Sequence, residues 1–114
     1  MAKETCHPGD CIPTILAVAQ QKNCNGEELV KAIATSYETQ LRLSLSIALN
    51  PNRIDHVGHL GPAITSGLGK LLKLDTETIY QAIQWSAHTS VFTRQGRKGK
   101  LSSWKAYAPG LVGK

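Results

Sequence analysis

The stretch that decides the fold is "NGEELVKAIATSYETQLRLSLSIALN", residues 25–50. Asn25 with Glu28 three positions on is a capping-box signature, in which each side chain meets the other residue's backbone N–H at a helix start. Val30, Ile33, Tyr37, Leu41, Leu45 and Ala48 then recur at helical spacing and predict one apolar stripe along a long helix. "LSLSI" alone alternates as a strand would, but the stripe around it outweighs that signal. Asn50-Pro51-Asn52 is the expected stop, since proline pushes its predecessor out of the helical region.

Working outward, "CHPGDCIPTILAVAQ" (residues 6–20) predicts a first helix from about Cys11 to Lys22. Asp10 is its expected N-cap, and Pro13 falls in the first turn, where a missing N–H costs little. A third helix is expected over Gly61–Leu74, with Gly67 and Gly69 inside it. Each glycine costs about 1 kcal/mol relative to alanine, which points to close approach of another backbone or a ligand. Asp75 caps a fourth helix, "TETIYQAIQWSAHTS", with Ile79, Ala82, Ile83 and Ser86 on one face. A short last segment, "LSSWKAYA", ends near Pro109. The expected class is all-α, with no convincing strand, no internal repeat and no low-complexity stretch.

Composition agrees with a soluble globular chain: 114 residues, 41% hydrophobic and 18% charged. No apolar run approaches the ~20 residues of a membrane span, and "MAKETCHPGD" lacks the layout of a signal peptide, so a cytoplasmic location is expected. Cys6, Cys11 and Cys24 are an odd set without C-x-x-C, which argues against a disulfide framework. An iron–sulfur reading of Cys6 and Cys11 wants a third cysteine at position 14, where Thr14 stands. No cofactor is expected. The net charge of +5 is uneven: residues 94–114 contain Arg94, Arg97, Lys98, Lys100, Lys105 and Lys114 and no acid. Such a field calls for an anionic partner or ample water.

Three stretches carry candidate chemistry. Pro8 forces His7 into an extended conformation at a helix mouth, where a neutral imidazole beside an anionic ligand is coherent. "RIDHVGHLGP" groups Arg53, Asp55, His56 and His59. Histidines three apart can share a face, and Asp55 could orient either ring. The bland alternative is a polar interhelical turn with one histidine satisfied by hydrogen bonds; a metal would want a further ligand pair, and none is in view. "TRQGRKGKLSSWKAYAPG" could bind nucleic acid through cations and rings, or receive a small polycarboxylate through paired arginine hydrogen bonds. The aromatic content of 5% and the lack of an RNA-binding motif disfavour nucleic acid.

Together with "AIATSYETQ" and "LDTETIYQAIQWSAHT", these stretches resemble the MmgE/PrpD family, in order, from about Thr5 to Lys114. The resemblance implies a bundle-like segment of that family's large helical domain. Residues 1–114 would be a partial helical domain of a longer enzyme whose smaller lid domain lies elsewhere, so the isolated segment would be inactive. The implied reaction is metal-independent loss of water from 2-methylcitrate to give 2-methylaconitate, in propionate breakdown through the methylcitrate cycle. His7 matches the family's first active-site histidine. His56 is the stand-in for a second, which in some relatives falls nearer Asn52. The active-site lysine corresponds to Lys98 or Lys100, with Lys100 taken as catalytic, and Arg94, Arg97 and Lys98 are expected to hold a tricarboxylate substrate. The full-length enzyme is expected to be a homodimer, with no membrane partner. Rival readings are a decarboxylase or isomerase of the same family, acting on a similar acid, and a non-catalytic basic helical module binding nucleic acid.

Overall fold

The computed structural model describes residues 4–97 and 101–114, and of Arg97 only the backbone. Among these residues are five α-helices: α1 (Ile12–Gln21), α2 (Gly26–Ser46), α3 (Leu60–Leu71), α4 (Thr76–Thr89) and α5 (Trp104–Val112). Four 3-10 turns punctuate them, at Pro8–Cys11, Asn50–Asn52, His56–His59 and Arg94–Arg97. The all-α class expected from the sequence is the one observed. Helix α3 lies at the centre, packed on α1, α2, α4 and α5. The core joins Cys11, Ile15 and Ala19 to Ala32, Val57, Leu60, Ile64, Leu71 and Ala108.

The two glycines inside α3 sit where backbones and side chains approach closely. A Cβ on Gly67 would stand 2.8 Å from the carbonyl oxygen of Ala32 and 3.0 Å from the Ser36 Cβ, so α2 and α3 touch nearly backbone to backbone. A Cβ on Gly69 would meet the Ile79 side chain at 2.6 Å, which seats α4 on the other side. This close contact corrects the stripe expected on α2. Its buried positions are Ala32, Ser36, Gln40 and Ser44, whereas Val30, Leu41 and Leu45 are exposed. Ala32 and Ser36 win the inner face opposite Gly67 because only small residues fit there.

Boundaries also differ from expectation, α3 ending at Leu71 rather than Leu74. Helix α2 ends at Ser46 rather than at Asn50, because the backbone beyond it finds other partners. The Ile47 carbonyl accepts from His59 Nε2 at 3.2 Å, and the Leu49 and Asn50 N–H groups both donate to Glu4 at 3.0 Å. Asp10 does not cap α1. Pro8 begins a 3-10 turn that runs straight into the helix, leaving Asp10 inside the turn with its N–H on the His7 carbonyl. Helix α5 continues through Pro109 to Val112, where Gly113 N–H closes on the Pro109 carbonyl.

The caps of α2 and α4 form as the sequence requires. Asn25 and Glu28 exchange side chain-to-backbone hydrogen bonds, and Asp75 accepts from the Thr78 N–H at 2.9 Å. Glu28 also meets Lys73 at 2.7 Å; that contact, followed by the Asn25 N–H, holds its carboxyl below the ordinary carboxylate range. A carboxylate with a lowered folded-state pKa adds stability above its unfolded pKa and loses it as pH falls through the folded value. Lys73→Met is therefore expected to flatten the stability profile below about pH 4.5, in urea unfolding followed between pH 3 and 6. An unchanged acid limb would show that the Lys73 contact contributes nothing.

Candidate functional site

The site starts from two short devices. His7 precedes Pro8 and keeps a non-helical backbone (φ −121°, ψ 81°), so its side chain stands outside the 3-10 turn it begins. Asp55 caps the second turn, His56–His59, accepting the Val57 N–H at 3.1 Å. Its own N–H donates to the Phe92 carbonyl at 2.7 Å, in an antiparallel bridge that pairs Ile54 with Thr93. That bridge pins residues 92–94 beside the capped turn.

These devices bring His7 and His56 together, with ring centroids 5.2 Å apart in an edge-to-face arrangement. His7 is exposed and His56 buried. His56 Nδ1 lies 3.3 Å from Asp55 Oδ1, and Lys105 Nζ donates to the same oxygen at 3.2 Å. Asp55 is 2% exposed and Lys105 only 15%. A buried carboxylate thus faces an ammonium and an imidazole, while a second imidazole meets solvent. One ring can hold a proton beside Asp55 while the other exchanges one with a ligand.

Lys105 escaped the sequence reading, which looked to the lysines before Trp104. A signal was present: Lys105, Ala108 and Val112 follow at helical spacing, placing Lys105 on the inner face of α5. Lys98 and Lys100 lie outside the described residues, as does the Arg97 side chain. Arg94 stands on the far strand of the bridge, its N–H on the Arg53 carbonyl at 2.8 Å. Two clefts meet at this bridge and share Thr93 and Gln95. One, of about 450 Å³, has Asp55, Trp104 and Lys105 in its wall. The other, of about 640 Å³, is walled by Arg53 and Arg94.

His59 has a different role from His56. Its Nε2 meets Glu4 at 2.6 Å, both side chains being buried, and this pair fastens residue 4 to the end of α2. His88 is exposed in the last turn of α4. The three cysteines are free thiols; Cys6 donates to Ser44 Oγ at 3.6 Å, and burial pushes the Cys11 thiol up. Among the described residues no three His, Cys, Asp or Glu side chains are grouped to hold a metal, and no helix is long and apolar enough to cross a membrane.

An all-α domain with a histidine pair, a buried aspartate and a lysine at the edge of two clefts has the parts of an acid–base enzyme. The chain belongs to the MmgE/PrpD family, whose N-terminal domain matches residues 1–114. That family includes dehydratases and related enzymes. No solved structure matches the chain.

Proposed function

We propose that this chain supplies the histidine half of an active site that removes water from 2-methylcitrate, as part of the helical domain of a longer, homodimeric, cytoplasmic enzyme. The observation that carries the reading is the meeting of His7 with His56 over Asp55 and Lys105. One imidazole takes the proton from the carbon next to a carboxylate. The C–O bond breaks as the C=C bond forms, and the hydroxyl leaves as water with a proton from the other imidazolium or from a lysine. Negative charge builds on an already anionic substrate in this step, and Lys105 together with Lys98 or Lys100, Arg94 and Arg97 would stabilise it. Asp55 would stabilise the imidazolium at His56 and fix its ring, as a carboxylate does behind a catalytic histidine. No step requires a cofactor.

The test is an NMR titration of the histidine rings with 2-methylcitrate, with citrate and a short RNA as controls. His7 and His56 are expected to shift together, while exposed His88 and Glu4-bound His59 stay still. Rings that ignore every carboxylate would sink the reading, and shifts produced by RNA alone would favour the basic-module rival. In a full-length enzyme carrying this domain, His7→Gln or His56→Gln is expected to lower kcat by roughly 10²–10⁴-fold. Product analysis there separates dehydration from decarboxylation or isomerisation.

A further inference from the structure

We propose that Arg53 joins Arg94 in a binding site for a multiply charged carboxylate, beside the histidine cluster and in the cleft on the other side of the Ile54–Thr93 bridge. The bridge that pairs Ile54 with Thr93 places Arg53 directly opposite Arg94, and the Arg94 N–H donates to the Arg53 carbonyl. Like charges facing each other across a strand pair destabilise it. Among the described residues neither guanidinium has an ion-pair partner, and the cleft they wall contains no carboxylate. Its other polar groups are the amides of Asn50, Asn52 and Gln95 and the Thr93 hydroxyl. The cleft therefore offers hydrogen-bond donors and positive charge without an internal anion to receive them.

Arg53 is also held in an unusual conformation. Its φ is 59°, in the left-handed region that a bulky residue seldom adopts, and two backbone bonds keep it there: its N–H on the Asn50 carbonyl and its carbonyl under Arg94. The same left-handed geometry follows α1 at Asn23 and α3 at Lys73, and at Arg53 it closes the Asn50–Asn52 turn and fixes where the residue stands. Here it orients one guanidinium toward the cleft shared with another. Each guanidinium can take a carboxylate through two parallel hydrogen bonds, so two of them suit a ligand with carboxylates on neighbouring carbons. The choice of a polycarboxylate rests on the dehydratase reading above; the oxyanion site itself does not.

Calorimetric titration of the chain with citrate, at constant ionic strength, tests the site without turnover. Arg53→Gln and Arg94→Gln are each expected to raise the citrate Kd about tenfold or more, as loss of one charged, two-pronged contact does. His88→Gln, at an exposed position in the last turn of α4, is expected to change it by less than about threefold. Should Arg53→Gln disturb the turn, seen as a lower melting temperature, Arg94→Gln reads the same site from outside that turn. Unaltered citrate affinity in Arg94→Gln overturns the site. Inorganic phosphate binding more tightly than citrate overturns the carboxylate assignment. If the histidine rings ignore 2-methylcitrate while the arginine variants still lose citrate, the anion site stands and the dehydratase reading falls; the opposite pair of results removes the site alone.

Discussion

Glu4→Ala is expected to cost about 3–5 kcal/mol, because it takes a buried acceptor away from several hydrogen-bond donors at once. The carboxylate does three things at once. It meets His59 Nε2 at 2.6 Å, and it accepts the backbone N–H groups of Leu49 and Asn50. Alanine would leave the Leu49 and Asn50 N–H groups without their acceptor and His59 Nε2 with the Ile47 carbonyl alone, and would free the end of α2 from the turn that presents His56. In a domain of this size the loss corresponds to a fall of more than about 12 °C in Tm. Glu4→Gln, which keeps the shape and an acceptor oxygen, is expected to lose less than half as much. Chemical denaturation of the two variants beside the parent separates the outcomes. A Glu4→Ala protein within about 1 kcal/mol of the parent would mean that water replaces the carboxylate without penalty.

Gly67→Ala is expected to destabilise the chain by about 2–3 kcal/mol, although alanine is the better helix former by about 1 kcal/mol. The added methyl carbon would stand 2.8 Å from the Ala32 carbonyl oxygen, 2.9 Å from Ile15 Cδ1 and 3.0 Å from the Ser36 Cβ. A flexible side-chain end could yield, but the carbonyl belongs to the backbone of α2. The helices must therefore part by several tenths of an ångström along their closest contact, and cores packed at crystal density resist that. Gly26→Ala is the control, because nothing lies within 4 Å of a Cβ there. Its expected change is small, since a methyl group would meet no neighbour. Melting curves of the two variants decide the matter: a stabilised Gly67→Ala would show that α2 and α3 are free to separate.

The two cases mark how far the chain could be read without coordinates. The caps at Asn25 and Asp75, the four principal helices and the close approach at Gly67 and Gly69 were legible because they depend on neighbours in sequence or on what glycine lacks. His7 was legible as a histidine held in a proline turn, and His56 as one of two histidines that Asp55 could orient; the Asp55 cap and the meeting of the two rings came with the fold. Helix spacing, in contrast, misjudged α2. It favoured the apolar residues Val30, Leu41 and Leu45, while α3 accepted the small and polar face of Ser36, Gln40 and Ser44.

By itself, then, the sequence determined the all-α class, the caps at Asn25 and Asp75 and the proline turn that holds His7, since these arise from φ restriction, side chain-to-backbone hydrogen bonds and the cost of glycine. Only the tertiary structure decided which partner each histidine meets. His56 and His59 lie three residues apart in one turn and look alike in sequence. Glu4, separated from His59 by the whole of α1 and α2, locks that ring in place, and Lys105 from α5 joins Asp55 beside His56. The bridge that sets Arg53 against Arg94 has the same origin. Contacts between groups so far apart along the chain depend on how α3 gathers its neighbours, and no local pattern of residues encodes that distance.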